Sequence, residues 1–156
     1  MRVEVTIPVN ASKHDVWQKI TDIENAASTI SGIDKIEILN MPSQGIVGLN
    51  WKETRTLFSK TATETIWITD AVEDSYYLTE AQSHGSVYKS KIQLSDRDGT
   101  TYLSMDFDAE AQSFGAKVLS ATMGFIFKGA TKKALLQDLT DVKAAVERAG
   151  TNNQDT

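Results

Sequence analysis

Residues Val47–Thr69, VGLNWKETRTLFSKTATETIWIT, read as two long strands joined by a tight turn. In the first, Val47, Leu49, Trp51, Glu53, Arg55 and Leu57 alternate with Gly48, Asn50, Lys52, Thr54 and Thr56 over Val47–Phe58. That period of two sends successive side chains to opposite faces of a sheet. After Ser59–Lys60 the alternation resumes over Thr61–Val72, with Glu64, Ile66 and Ile68 opposing Thr63, Thr65 and Trp67. Outward from this hairpin the pattern repeats at Tyr76–Gln82, Val87–Ser95 and Thr100–Gln112, divided by His84-Gly85 and by Asp96-Arg97-Asp98-Gly99. An Asp-Gly pair supplies the positive-φ positions of a hairpin turn at little cost. Upstream, Ile36 and Ile38 alternate with charge, and Met41–Gly45, carrying Pro42, is a turn. Connections this short predict an antiparallel meander of six strands, and long adjacent strands predict a twisted, curved sheet.

The flanks differ in period. Val3, Val5, Ile7 and Val9 alternate with polar residues as a strand, and Pro8, lacking a donor, places it at an edge or near its end. Ser12, three residues before Asp15, caps a short helix whose buried stripe is Val16, Ile20 and Ile23. Asn25–Ser31 forms a second helical turn. At the other end Ser113–Ala149 is helical: Leu135, Leu136, Leu139, Val142 and Val146 recur at helix spacing, and Gly150 is a stop. The expected organisation is one α+β domain over residues 1–150, with a disordered tail at 151–156. Its order is strand, two short helices, six-stranded antiparallel meander, long C-terminal helix.

Composition narrows the function. The chain has 156 residues, no cysteine, two histidines and a net charge of −5. A thiolate nucleophile and Cys-based metal sites are excluded, and the acidic balance argues against tracking nucleic-acid phosphates. No apolar run reaches the length of a membrane span. The N-terminus reads as a strand rather than a signal segment, and the expectation is a soluble, cytoplasmic protein.

VTIPVNASKHDVWQKITDIEN at Val5–Asn25, the Val47–Thr69 segment and the Ser113–Ala149 helix together resemble the START-like (SRPBCC) superfamily, in particular its bacterial polyketide cyclase/dehydrase and lipid-transport group. The resemblance spans nearly the whole chain and carries no catalytic signature. It implies a helix-grip fold, in which a curved sheet wraps the long helix and leaves an internal cavity for a hydrophobic small molecule. Iron-binding oxygenase relatives use histidines close together with a carboxylate. Here His14 is on the first helix and His84 at a turn, so neither a metal nor a cofactor is expected.

If Trp51 faces inward, the period of two carries Glu53 and Arg55 with it, and Ile66 carries Glu64. Arg55 between Glu53 and Glu64 would neutralise a charge that is costly to bury alone; a salt bridge at the solvent-exposed rim is the other reading. Tyr88, Ser90, Ile92 and Leu94 share a face, as do Leu103, Met105, Phe107 and Ala109. Tyr88, Ser90, Met105 and Phe107 are therefore candidate cavity walls, or core that simply packs. Met123 and Phe127, in the apolar stretch Val118–Phe127, are candidates for its roof, with a homodimer contact as the second reading.

Three functions follow. The first is a carrier for an apolar or amphipathic molecule. The second is a cyclase or dehydratase with Glu53 or Glu64 as base, Arg55 stabilising an enolate and Tyr88 orienting the ring. The third is a protein-interaction module built on Val118–Phe127.

Overall fold

The computed structural model describes residues 1–57, 59–83, 86–111 and 114–154, with side chains described throughout these except at 83, 111, 114–127 and 152–154. Strand β1 (Arg2–Val9) leads to α1 (Lys13–Ile20), a 3-10 turn (Ile23–Asn25) and α2 (Ala26–Thr29). Six strands follow, β2 (Ile33–Asn40), β3 (Asn50–Leu57), β4 (Lys60–Val72), β5 (Tyr76–Ser83), β6 (Ser86–Arg97) and β7 (Thr100–Ala111), and then α3 (Phe114–Gln154). They form one seven-stranded antiparallel sheet in the order β1-β7-β6-β5-β4-β3-β2.

Local chemistry accounts for the boundaries. The Ser12 hydroxyl accepts the Asp15 amide at 3.1 Å, capping α1. Asp98 and Gly99 both hold positive φ, 53° and 82°, which is what a two-residue turn between β6 and β7 requires. Pro8 sits in β1, an edge strand, where a missing donor is tolerated.

Several boundaries shift by one or two residues from the sequence reading, and two shift further. Strand β3 begins at Asn50 rather than Val47, because Gly48 at φ 92° breaks the extended path and leaves Val47 49% exposed. The Gly48 amide still donates to the Ile68 carbonyl. At the other end α3 runs through Gly150 to Gln154. Nothing there demands a left-handed residue, and the Thr151 hydroxyl donates to the Glu147 carbonyl one turn back.

The buried stripe of α3 is Leu135, Leu139, Val142 and Val146. Leu136 lies outside it, 43% exposed, because successive helical positions diverge by 100°. This stripe joins Val3, Val5, Val9, Val16, Trp17, Ile20, Leu94 and Leu103 in a single core cluster. The helix packs on β1 and β7, one side of the sheet, and on α1 and α2. Polar ties hold its flanks. The Ser31 amide and hydroxyl both donate to Asp141 Oδ2 (2.8 and 2.7 Å), and Lys143 Nζ donates to the Pro8 carbonyl.

Candidate functional site

Among the described residues α3 packs against β1 and β7 rather than against the middle strands. A pocket of about 940 Å3 is bounded by the inner faces of β3 to β7, by α1, α2 and β2, and by the Thr131–Val142 part of α3. Period-two geometry selects its floor. Trp51, Glu53 and Arg55 come from β3, Glu64 and Ile66 from β4, Tyr88 and Ser90 from β6, and Met105 and Phe107 from β7. All nine of these sequence-predicted residues line the one pocket. Met123 and Phe127, the Val118–Phe127 side chains and His84 lie outside the described residues.

Register explains how they meet. Trp51 pairs with Ile66, Glu53 with Glu64 and Arg55 with Ala62. Ile66 pairs with Ala81, Ala81 with Tyr88, and Tyr88 with Ala109. Small residues thus sit beside large ones along the floor, and Ala62, Ala81 and Ala109 leave space where bulky side chains would fill it. Tyr88 stacks on Phe107, ring centroids 5.8 Å apart. At the inner end Tyr77 is buried, donates its hydroxyl to the Ile20 carbonyl at 3.1 Å, and meets Trp17 edge-on.

The polar centre is an ion cluster. Arg55 Nε donates to Glu53 Oε1. Arg55 Nη1 and Nη2 reach Asp138 Oδ1 and Oδ2 at 3.2 and 2.9 Å, a two-point contact across to α3. Trp51 Nε1 donates to Glu53 Oε2 at 3.2 Å. Side-chain exposures of 12% for Glu53, 26% for Arg55 and 8% for Asp138 place the cluster inside the pocket wall rather than on a solvated rim. Burial alone would lower the Arg55 pKa, but Glu53 and Asp138 outweigh it and the guanidinium stays charged. Burial raises the Asp138 pKa, against the opposing pull of Arg55. Tyr88 is raised by burial and by the Glu64 charge, and Tyr77 by burial and by Glu53.

The second carboxylate that the sequence assigned to Arg55 was Glu64; at the guanidinium stand Glu53 and Asp138 instead. Glu64 lines the pocket opposite Glu53. Asp138 carried a legible signal that the sequence reading did not use. It falls in the stripe Leu135, Leu139, Val142, and an acid on an apolar stripe needs a buried cation. Gly32 was equally unforeseen. A Cβ there would stand 3.2 Å from Arg55 Nη1 and 3.4 Å from Asp138 Oδ1, so the glycine makes room for the ion pair.

Elsewhere His14, Glu73 and Asp74 bring potential ligand atoms within 4.8 Å of one another, with His14 Nδ1 3.1 Å from Asp74 Oδ1. None of the three lines the pocket. Among the described residues no helix is long and apolar enough to cross a membrane.

Comparison with solved structures finds the same fold over nearly the whole chain. The TTHA0849 protein of Thermus thermophilus matches with a TM-score of 0.80 at 9% identity, covering 96% of this chain and 99% of that one. A START superfamily protein from Mycobacterium smegmatis matches at 0.78 and 16% identity, covering 95% and 98%. The Zhui aromatase/cyclase from Streptomyces sp. R1128 matches at 0.75 and 17% identity, covering 95% and 94%. At these identities the likeness is one of fold. Comparison with curated proteins finds no match. The family model for polyketide cyclase / dehydrase and lipid transport matches residues 1–147, and the chain belongs to that family of START-like, helix-grip proteins.

Proposed function

We propose that this protein binds and carries an apolar or amphipathic small molecule in an internal cavity between the sheet and α3, with residues 1–150 acting as one domain. The observation that carries the reading is the pocket of about 940 Å3, at the upper end of the roughly 300–1,000 Å3 range of small-molecule sites. Its inner end is apolar (Ile20, Ile23, Tyr77, Ile92, Leu139), and the Glu53–Arg55–Asp138 cluster gives it a polar wall. In this reading Trp51, Ile66, Met105 and Phe107 contact the apolar body of the ligand. Glu53, Arg55, Glu64, Tyr88 and Ser90 border its polar end, and Met123 and Phe127 form the roof. Native mass spectrometry after incubation with mixtures of hydrophobic compounds tests it. A retained ligand whose binding changes Trp51 emission is expected; a chain that retains nothing from such mixtures overturns it.

A cyclase or dehydratase is the second reading, favoured by the likeness to the Zhui aromatase/cyclase and by Glu64 and Tyr88 facing one pocket. Within it the base is Glu53 or Glu64. Both Glu53 oxygens accept hydrogen bonds, from Arg55 and Trp51. A Glu64→Gln protein as active as the unmodified chain on a cyclisable substrate removes Glu64 from that role.

A further inference from the structure

The choice of ligand head group can be argued from the ion cluster, on the reading that the pocket is a ligand site. Arginine is favoured wherever a carboxylate is held at two points, because its planar fork matches the two oxygens. Arg55 is the arginine in this pocket, and its fork is taken: Nε points at Glu53, and Nη1 and Nη2 at Asp138. Two carboxylates therefore engage one guanidinium. At this cluster, among the described residues, an entering carboxylate meets no uncompensated cation, in surroundings where charge interactions are stronger than at an open surface. Lys60 and Lys128 also border the pocket but are exposed, where solvent and salt screen them; Lys19 is half-buried, on α1. An uncharged head group finds what it needs in the hydroxyls of Thr79, Ser86, Tyr88 and Ser90.

We propose that Asp138 is a specificity-determining residue: by occupying Arg55 from the facing helix, it makes the pocket take amphiphiles with uncharged, hydrogen-bonding head groups and turn away those headed by a carboxylate. Asp138 acts on the ligand through Arg55. Replacing it should therefore change which head group is preferred rather than abolish binding.

The test uses the full chain at neutral pH with a long-chain alcohol and the carboxylic acid of the same chain length. Each competes against an uncharged environment-sensitive dye held in the pocket. The unmodified protein is expected to favour the alcohol by at least about tenfold, the size of one charge-assisted interaction. Asp138→Asn, close to isosteric, should narrow that ratio at least about fivefold by improving the acid's binding. Glu53→Gln, which also unburdens Arg55, should move it the same way and serves if the Asp138 variant fails to fold. An acid that competes as well as the alcohol on the unmodified protein overturns the inference, as does an unchanged ratio in a folded variant. Failure of the dye and both amphiphiles to bind at all overturns instead the carrier reading beneath it.

Discussion

Replacing Arg55 with methionine keeps the aliphatic stem and deletes the charge. Two donated hydrogen bonds are lost, one to Glu53 and one to Asp138, together with a second ion-pair contact to Asp138. Two carboxylates then remain near each other with side-chain exposures of only 12% and 8%. Breaking a fully buried pair by removing one partner costs about 3–5 kcal/mol, whereas losing an exposed pair costs about 0–1 kcal/mol. Arg55 keeps 26% exposure, so the lower end applies, about 3 kcal/mol. For a chain of this size that is a fall in Tm of roughly 6–12 °C. Urea unfolding at pH 7, followed by tryptophan emission, measures it directly. The deficit should narrow in acid. Burial already holds the Asp138 pKa above its ordinary value of 3.8, against the pull of Arg55. Without Arg55 it rises further, so the folded variant takes up a proton more readily than the unfolded chain as pH falls. Adding Asp138→Leu to Arg55→Met should restore part of the loss, since apolar replacements of buried pairs are often neutral. A loss below about 1 kcal/mol at pH 7 would mean that the cluster is screened like a surface bridge, and the argument from burial would be wrong.

Three further outcomes follow from other parts of the structure. Ala81→Phe projects a ring from the pocket floor between Ile66 and Tyr88. Ligand retention in native mass spectra should drop while the far-ultraviolet circular dichroism stays native; undiminished retention would place the ligand elsewhere. Asp141 is half-buried, and its pKa is lowered on balance: burial pushes it up, but hydrogen bonds from Ser31 and Gln137 outweigh that. Glu147 is lowered by Lys143 and by the Asn10 amide. Groups held below their ordinary values of 3.8 and 4.5 contribute stability that is present above those values and lost as pH falls through the lowered folded ones. Asp141→Asn should accordingly flatten the acid limb of a stability-against-pH curve, and an unaltered limb would count against the Ser31 tie. Gly99→Val places a β-branched residue at φ 82° and should cost about 1–2 kcal/mol in thermal or urea unfolding, with no loss contradicting the turn geometry.

Much of the site's floor was legible because strand geometry is local. Alternation alone grouped Trp51 with Glu53 and Arg55, Ile66 with Glu64, and Met105 with Phe107, and the register brings these groups to one pocket. The error at Val47 has the same origin. Alternation cannot register that Gly48 adopts a backbone angle which ends the strand, since glycine fits either conformation. Leu136 shows the corresponding limit for a helix, where apolar character does not say which side of a wide stripe is covered.

What the chain determines by itself is therefore what depends on neighbours within a few residues: strand faces, the Ser12 cap, the Asp98-Gly99 turn and the order of elements. The second partner of Arg55, Asp138, lies 83 residues away, on another element. Its choice depended on how α3 is rotated and seated once Leu135, Leu139, Val142 and Val146 had found the core. Packing sets that rotation through the sum of many weak contacts, none of which leaves a local mark in the sequence. The stripe position marks Asp138 as an acid in need of a cation, but only the folded chain shows that this cation is Arg55.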